Sequence, residues 1–121
     1  MLDKLTINRW AEEDRPREKM MSKGAQALTN AELLAILIGS GSDEDSAVSL
    51  MQKVLSAYGD SLDHVGRLSM EELCRFRGIG PAKAVTILAA CELGRRRAVE
   101  QPERRQIRSA AQVYDYFYPL M

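Results

Sequence analysis

The sequence predicts an all-α protein, a compact bundle of about five to six helices. Three observations carry that prediction. Leu, Ala, Met and Val dominate the apolar content while aromatics make up only 6%, a poor supply for strands, which favour aromatic and β-branched residues. Apolar residues recur at three- and four-residue spacing, as in Ala47, Val48, Leu50, Met51, Val54 and Leu55, the period of a helix with one buried face. Two capping boxes, Thr29 to Glu32 and Ser69 to Glu72, mark helix starts. With 121 residues and 45% hydrophobic content, the chain can bury a core as one domain, or as one small domain with a tail.

Taken in order, residues 1–10 place Leu2, Leu5, Ile7 and Trp10 in a weak alternation, read as an extended arm or irregular strand. Pro16 suits the first turn of a helix reaching about Lys23, and Gly24 closes it. Arg15, Arg17, Lys19 and Lys23 are interleaved with acids, which reads as salt-bridged surface. The next helix opens at Thr29. Its Leu33, Leu34, Ile36, Leu37 and Ile38 are too apolar for a one-faced helix, so it is central. Gly39-Ser40-Gly41-Ser42 ends it. Asp43, Glu44 and Asp45 are expected in the first turn of the following helix, where acids suit the dipole; that helix runs to about Ala57. Gly59 and Asp60 make a turn, Leu62 to Leu68 a short helix, and Ser69 to Phe76 another. The helix from Pro81 carries Ala84, Ile87, Leu88 and Cys91 on one face and is expected to run to about Arg97, largely buried as far as Gly94. Gln101-Pro102 and the surrounding charges then read as a linker.

Between those last two helices lies Arg77-Gly78-Ile79-Gly80-Pro81-Ala82-Lys83. Glycine permits positive φ and close backbone approach, and proline fits the first helical position, where a missing N–H loses nothing. The stretch therefore reads as a tight hairpin with Ile79 tucked inward as its plug. The N–H groups around Gly80, Ala82 and Lys83 are then aimed outward at a positive helix start, a ready site for an anion, and Lys83 adds a full charge. Leu73, Phe76, Gly78, Ile79, Gly80 and Ala84 follow in order the pattern of the helix-hairpin-helix family, which this segment resembles. That resemblance implies sequence-independent DNA binding, and, in some members, hairpin carbonyls that hold a monovalent cation against the phosphate. The plain alternative is a helix–helix turn with Lys83 solvated.

The pattern recurs. Leu28-Thr29-x-x-Glu32-Leu33 matches Leu68-Ser69-x-x-Glu72-Leu73 at an offset of 40, and Gly39-x-Gly41 matches Gly78-x-Gly80 at 39. Two such units bury each other's apolar faces, which neither does alone. In this arrangement two hairpins can grip two phosphate backbones across one groove. The first copy, Gly39, Ser40, Gly41 and Ser42, has a serine where the second has its plug. Three acids follow it, and they repel phosphate. That copy is expected to be mainly architectural, with at most one contact through Ser40, Ser42 and the local N–H groups.

Charge and composition narrow the function classes. Residues 1–74 hold 8 basic and 13 acidic side chains, whereas residues 75–108 hold 9 basic and 3 acidic. The positive field is therefore concentrated at the hairpin and just after it, including Arg95, Arg96 and Arg97, as expected of a phosphate-binding face. Cys74 and Cys91 have no CxxC spacing and are read as buried, reduced thiols. His64 is the single histidine, so neither a histidine-based zinc site nor a nucleophile–base pair can be assembled in this chain. No stretch has the pattern of a signal peptide or approaches the roughly 18 apolar residues of a membrane span, which reads as a cytoplasmic protein.

Three further stretches occur in one order: Arg15-Pro16-Arg17-Glu18-Lys19; Gly24-Ala25-x-Ala27-Leu28-Thr29-Asn30-Ala31-Glu32-Leu33-Leu34-Ala35-Ile36-Leu37; and Gly78-Ile79-Gly80-Pro81-Ala82-Lys83-Ala84. In that order they resemble the N-terminal region of the bacterial RadC family, over about residues 14 to 117. The resemblance implies a helix-hairpin-helix region followed by a JAB/MPN-type, metalloprotease-like domain with a zinc-binding His-x-His motif. That motif is absent here, so zinc is expected only in the missing domain, and no cofactor in this one. The expected organisation is a helical domain over 1–98, a charged linker over 99–108 and a stub over 109–121 leading onward. The expected function is non-enzymatic, sequence-independent DNA binding in a repair-type protein. Phosphate is held by Arg77, Gly78, Ile79, Gly80, Ala82 and Lys83, with charge added by Arg95 to Arg97. The alternative is a protein-docking or regulatory domain for the absent metalloprotease-like domain.

Overall fold

Six α-helices and one short 3-10 turn follow one another in the computed structural model, which describes the backbone of residues 4–111 and the side chains of residues 11–100. Helix α1 spans Lys4–Lys23, the 3-10 turn Ala25–Ala27, α2 Asn30–Ile38, α3 Ala47–Ala57, α4 Leu62–Gly66, α5 Met70–Cys74 and α6 Pro81–Ala111. No strand occurs among the described residues, and the all-α class holds. None of the described helices is long and apolar enough to cross a membrane. Contacts divide the chain into two compact units at Ala89, and each is considered by itself.

The first unit contains the core. Helix α2 packs on α3, α1 packs on α2 and the 3-10 turn, and α4 packs on α3. The stripe predicted for α3 is buried, whereas α2, read as too apolar for a one-faced helix, buries one face and leaves Leu37 39% exposed: Ala31, Leu34, Ala35 and Ile38 join Leu50, Met51, Val54 and Leu55 in the core, with Val65, Leu73, Ile79, Ala84 and Ile87. Burial of this kind stabilises by about 25 cal/mol per Å² of apolar surface, and it holds α4 and α5, each five residues long, in a helical state that such short segments do not keep alone.

Local chemistry sets the boundaries. Both capping boxes form. Thr29 Oγ1 accepts from the Glu32 amide at 3.2 Å while Glu32 accepts from the Thr29 amide at 2.8 Å, and Ser69 and Glu72 repeat the exchange at 3.0 and 2.9 Å. These amide bonds hold the carboxyls of Glu32 and Glu72 below their ordinary range. Gly24 ends α1 at φ 92°, its N–H returning 2.8 Å to the Met20 carbonyl.

Four expectations about element boundaries need correction. Residues 4–10 are not extended; they are the first turns of α1. The Leu2–Leu5 and Ile7–Trp10 spacings of three suit a helix as well as the alternation suits a strand. Pro16 accordingly lies inside α1 rather than in its first turn; an interior proline removes one backbone donor, and here the ring is buried. Asp43, Glu44 and Asp45 precede α3 instead of opening it. Ser46 is the N-cap, its Oγ accepting from Ser49 N at 3.2 Å, while Ser42 Oγ accepts from Glu44 N at 3.2 Å and Asp45 N at 3.0 Å to close the loop before it. Finally, α6 does not stop near Arg97, and residues 99–108 continue it as helix. Gly94 has open space around it, a mid-helix glycine costs only about 0.5–1 kcal/mol, and strong helix formers flank it. Of the stub expected over 109–121, the residues beyond 111 lie outside the described ones.

Cys74 and Cys91 are free thiols, but half-buried rather than buried. Partial burial alone pushes the Cys91 thiol upward. His64 is exposed, edge-on to Tyr58 at 5.0 Å.

Candidate nucleic-acid interface

The two glycine hairpins of the first unit lie against each other. Gly78 adopts φ 101°, and a Cβ placed there meets Ser42 Cβ at 2.9 Å and Leu50 Cδ2 at 3.0 Å. That close approach, together with the positive φ, is why glycine is required at 78. Ile79 is 3% exposed and plugs the turn as expected, its N–H donating to the Phe76 carbonyl at 3.1 Å. Pro81 opens α6, and the Ala84 N–H donates to Gly80 O at 3.0 Å.

Among the described residues, the backbone N–H groups of Gly80, Ala82 and Lys83 have no protein acceptor. Gly80 and Ala82 are exposed. A helix start leaves its first donors unpaired, and here the dipole and the side chain of Lys83 add positive charge.

The first hairpin differs. All four of its amides are satisfied internally. Gly39 N donates to Ala35 O, Ser40 N to Ile38 O and Ser42 N to Asp45 O, each at 2.9 Å. Gly41 N donates 2.9 Å to Glu13 Oε2, and Glu13 Oε1 accepts from Ala47 N at 2.7 Å. A carboxylate from α1 thus sits where an external anion would have to bind. The first copy, Gly39, Ser40, Gly41 and Ser42, expected to be mainly architectural, has no backbone amide left over for an anion. Glu13 was missed in the sequence because it is 28 residues from Gly41 and lies in a stretch of mixed charge that reads as solvated surface.

The basic side chains also have partners. Lys83 Nζ donates 2.6 Å to Ser40 O and lies 3.4 Å from Ser40 Oγ. Arg77 reaches across to the acidic loop, with Nη2 at 2.7 Å from Asp43 Oδ2 and Nη1 at 3.4 Å from Glu44 Oε2. Asp45 pairs instead with Lys53 at 2.8 Å. In the second unit, Glu92 takes both Arg95 at 2.8 Å and Arg96 at 2.9 Å, and these guanidinium groups hold its carboxyl down to about 2. Arg97 is exposed.

The Glu13 contact carries a stability prediction. Glu13→Ala leaves the amides of half-buried Gly41 and buried Ala47 without an acceptor and is expected to destabilise the protein by about 1–3 kcal/mol. Glu13→Gln, which keeps an accepting oxygen but loses the charge, falls between that variant and the wild type. Urea denaturation measures both, and faster hydrogen exchange at the Gly41 and Ala47 amides locates the effect.

The fold and this pair of abutting hairpins define a small all-α domain in which one hairpin offers unpaired amides and the other is closed upon itself. The family profile described as UPF0758 N-terminal matches residues 7–85. Curated relatives are UPF0758 proteins. One from Flavobacterium johnsoniae is 47% identical over 116 residues, covering 95% of this chain and 50% of the relative. One from Porphyromonas gingivalis is 47% identical over 119 residues, covering 97% and 52%. One from Methanosarcina acetivorans is 38% identical over 122 residues, covering 99% and 52%. The chain belongs to the UPF0758 family, which is the RadC family its motifs resemble. It spans about half the length of these curated relatives. No solved structure matches it.

Proposed function

We propose that this domain is a DNA-binding module that grips the phosphate backbone without reading sequence. The observation that supports it is the contrast between the hairpins: three amides at Gly80, Ala82 and Lys83 lack a protein acceptor, whereas every amide of the other hairpin has one. Backbone donors at a helix start suit phosphate oxygens, and such contacts position a protein on DNA without carrying base information. Gly78 and Ile79 shape the turn. Lys83 supplies charge directly, since its present acceptors at Ser40 are neutral. Arg77 flanks the turn but is paired with Asp43 and Glu44, and Arg95, Arg96 and Arg97 belong to the second unit and are not assigned to this site. With one hairpin closed, the module holds one strand's backbone through a single hairpin. In the longer relatives this half would bring DNA to whatever the other half does.

The test is a salt titration of binding to duplex and branched DNA, followed by fluorescence anisotropy. The logarithm of affinity should fall linearly with the logarithm of salt, by about 0.9 per phosphate neutralised. Lys83→Glu, which replaces a cation beside the phosphate by an anion, should weaken binding more than about tenfold. A protein that binds neither DNA at low salt is instead a docking domain.

A further inference from the structure

We infer that the acidic loop between α2 and α3 is an internal substitute for phosphate, which holds Arg77 off the ligand until nucleic acid displaces it. This rests on the reading of the Gly78 to Lys83 hairpin as the phosphate-binding element. Arg77 immediately precedes Gly78, yet its guanidinium points across the seam to Asp43 at 2.7 Å and Glu44 at 3.4 Å. A guanidinium forked between two carboxylates has committed the N–H edges that it would offer to a phosphate.

The loop that presents these acids is pinned. Ser42 N donates to Asp45 O, Ser42 Oγ accepts from the Glu44 and Asp45 amides, and Glu13 ties down Gly41 and Ala47. Gly78 abuts Ser42 closely enough that a methyl group would not fit between them. The acids are therefore fixed opposite Arg77, so their pairing is built into the contact between the hairpins. The contact is also weak enough to exchange. The side chains of Arg77, Asp43 and Glu44 are 64%, 71% and 62% exposed, and ion pairs that open to water contribute little. Lys83 is treated differently, since it rests on a carbonyl and a hydroxyl and keeps its charge uncompensated. The domain thus presents one cation ready and one held in reserve, released only where a phosphate competes with Asp43 and Glu44.

The experiment uses the 121-residue chain and a fluorescein-labelled duplex, with a double-mutant cycle between Asp43→Asn/Glu44→Gln and Arg77→Gln. All three side chains are exposed, the two acid-to-amide changes are isosteric, and circular dichroism verifies folding. Neutralising the two acids should tighten binding about three- to tenfold and steepen the salt dependence by about one further phosphate. In the Arg77→Gln background the gain should vanish, because there is no guanidinium to release. A gain that survives in that background reports only the removal of negative charge and overturns the inference, as does unchanged affinity in a protein whose binding still depends on Lys83. If folded wild type and Asp43→Asn/Glu44→Gln both fail to bind at low salt, the phosphate-binding reading falls and this inference with it.

Discussion

Gly41→Ala is expected to destabilise the protein by about 3 kcal/mol or more, while Gly80→Ala, at the equivalent place in the second hairpin, costs at most about 1 kcal/mol. At Gly41 an added Cβ lies 2.1 Å from the Asp45 carbonyl oxygen and 2.5 and 2.6 Å from the carbonyl carbon and oxygen of Ser46. All three are backbone atoms, so no side chain can swing aside. Relief requires the loop to open, which breaks the Ser42–Asp45 bond and the two bonds to Glu13. At Gly80 nothing lies within 4 Å of the added Cβ, and the residue is not among those with positive φ. Only the modest preference for glycine over alanine at a helix cap is lost. Urea denaturation of both variants is the measurement. Comparable losses at the two positions would mean that the hairpins are packed alike, contrary to the geometry. Because Gly80→Ala keeps the fold, it also isolates the space over the second hairpin, and weakened DNA binding in a protein of unchanged stability would place the ligand there.

Leu73→Ala should cost about 3–5 kcal/mol, a large share of the roughly 5–15 kcal/mol by which a domain is stable. Leu73 has no exposed surface, and it anchors a five-residue helix that has little stability of its own. Ile79, at 3% exposed, seals the same region from the turn. Truncating Leu73 leaves a cavity beneath α5 that backbone shifts can only partly fill, and the second hairpin hangs from α5. The melting temperature should drop by more than about 10 °C. Leu93→Ala serves as the control. Leu93 is 69% exposed, and its truncation should shift stability by less than about 0.5 kcal/mol. A small effect at Leu73 would mean that α5 is held by its capping box alone.

The local features were legible in the residues. Thr29 and Ser69 announced helix starts because a capping box is complete within four residues. Gly24, Gly39 and Gly78 announced turns because their positive φ values suit no other residue as well. The apolar stripe of α3 reached the core because burial is what a one-sided period is for. The errors arose where two periods fitted one stretch, as over 4–10, or where a weak breaker met strong helix formers, as at Gly94. The acids at 43–45 were placed one turn too late because Ser46 competes for the cap, and its buried hydroxyl wins.

By itself, the sequence determined an all-helical domain with two glycine hairpins, the second plugged by isoleucine and started by proline. Each of those properties is decided within a few residues by dihedral preference, capping or apolar period. Only the tertiary structure decided which hairpin keeps its amides. Glu13 reaches Gly41 and Ala47 from another helix, Arg77 reaches Asp43 and Glu44 across 34 and 33 residues, and Lys83 reaches Ser40 across 43. A carboxylate or a guanidinium acts on whatever packing brings within about 3 Å, and no local pattern in the chain encodes that distance.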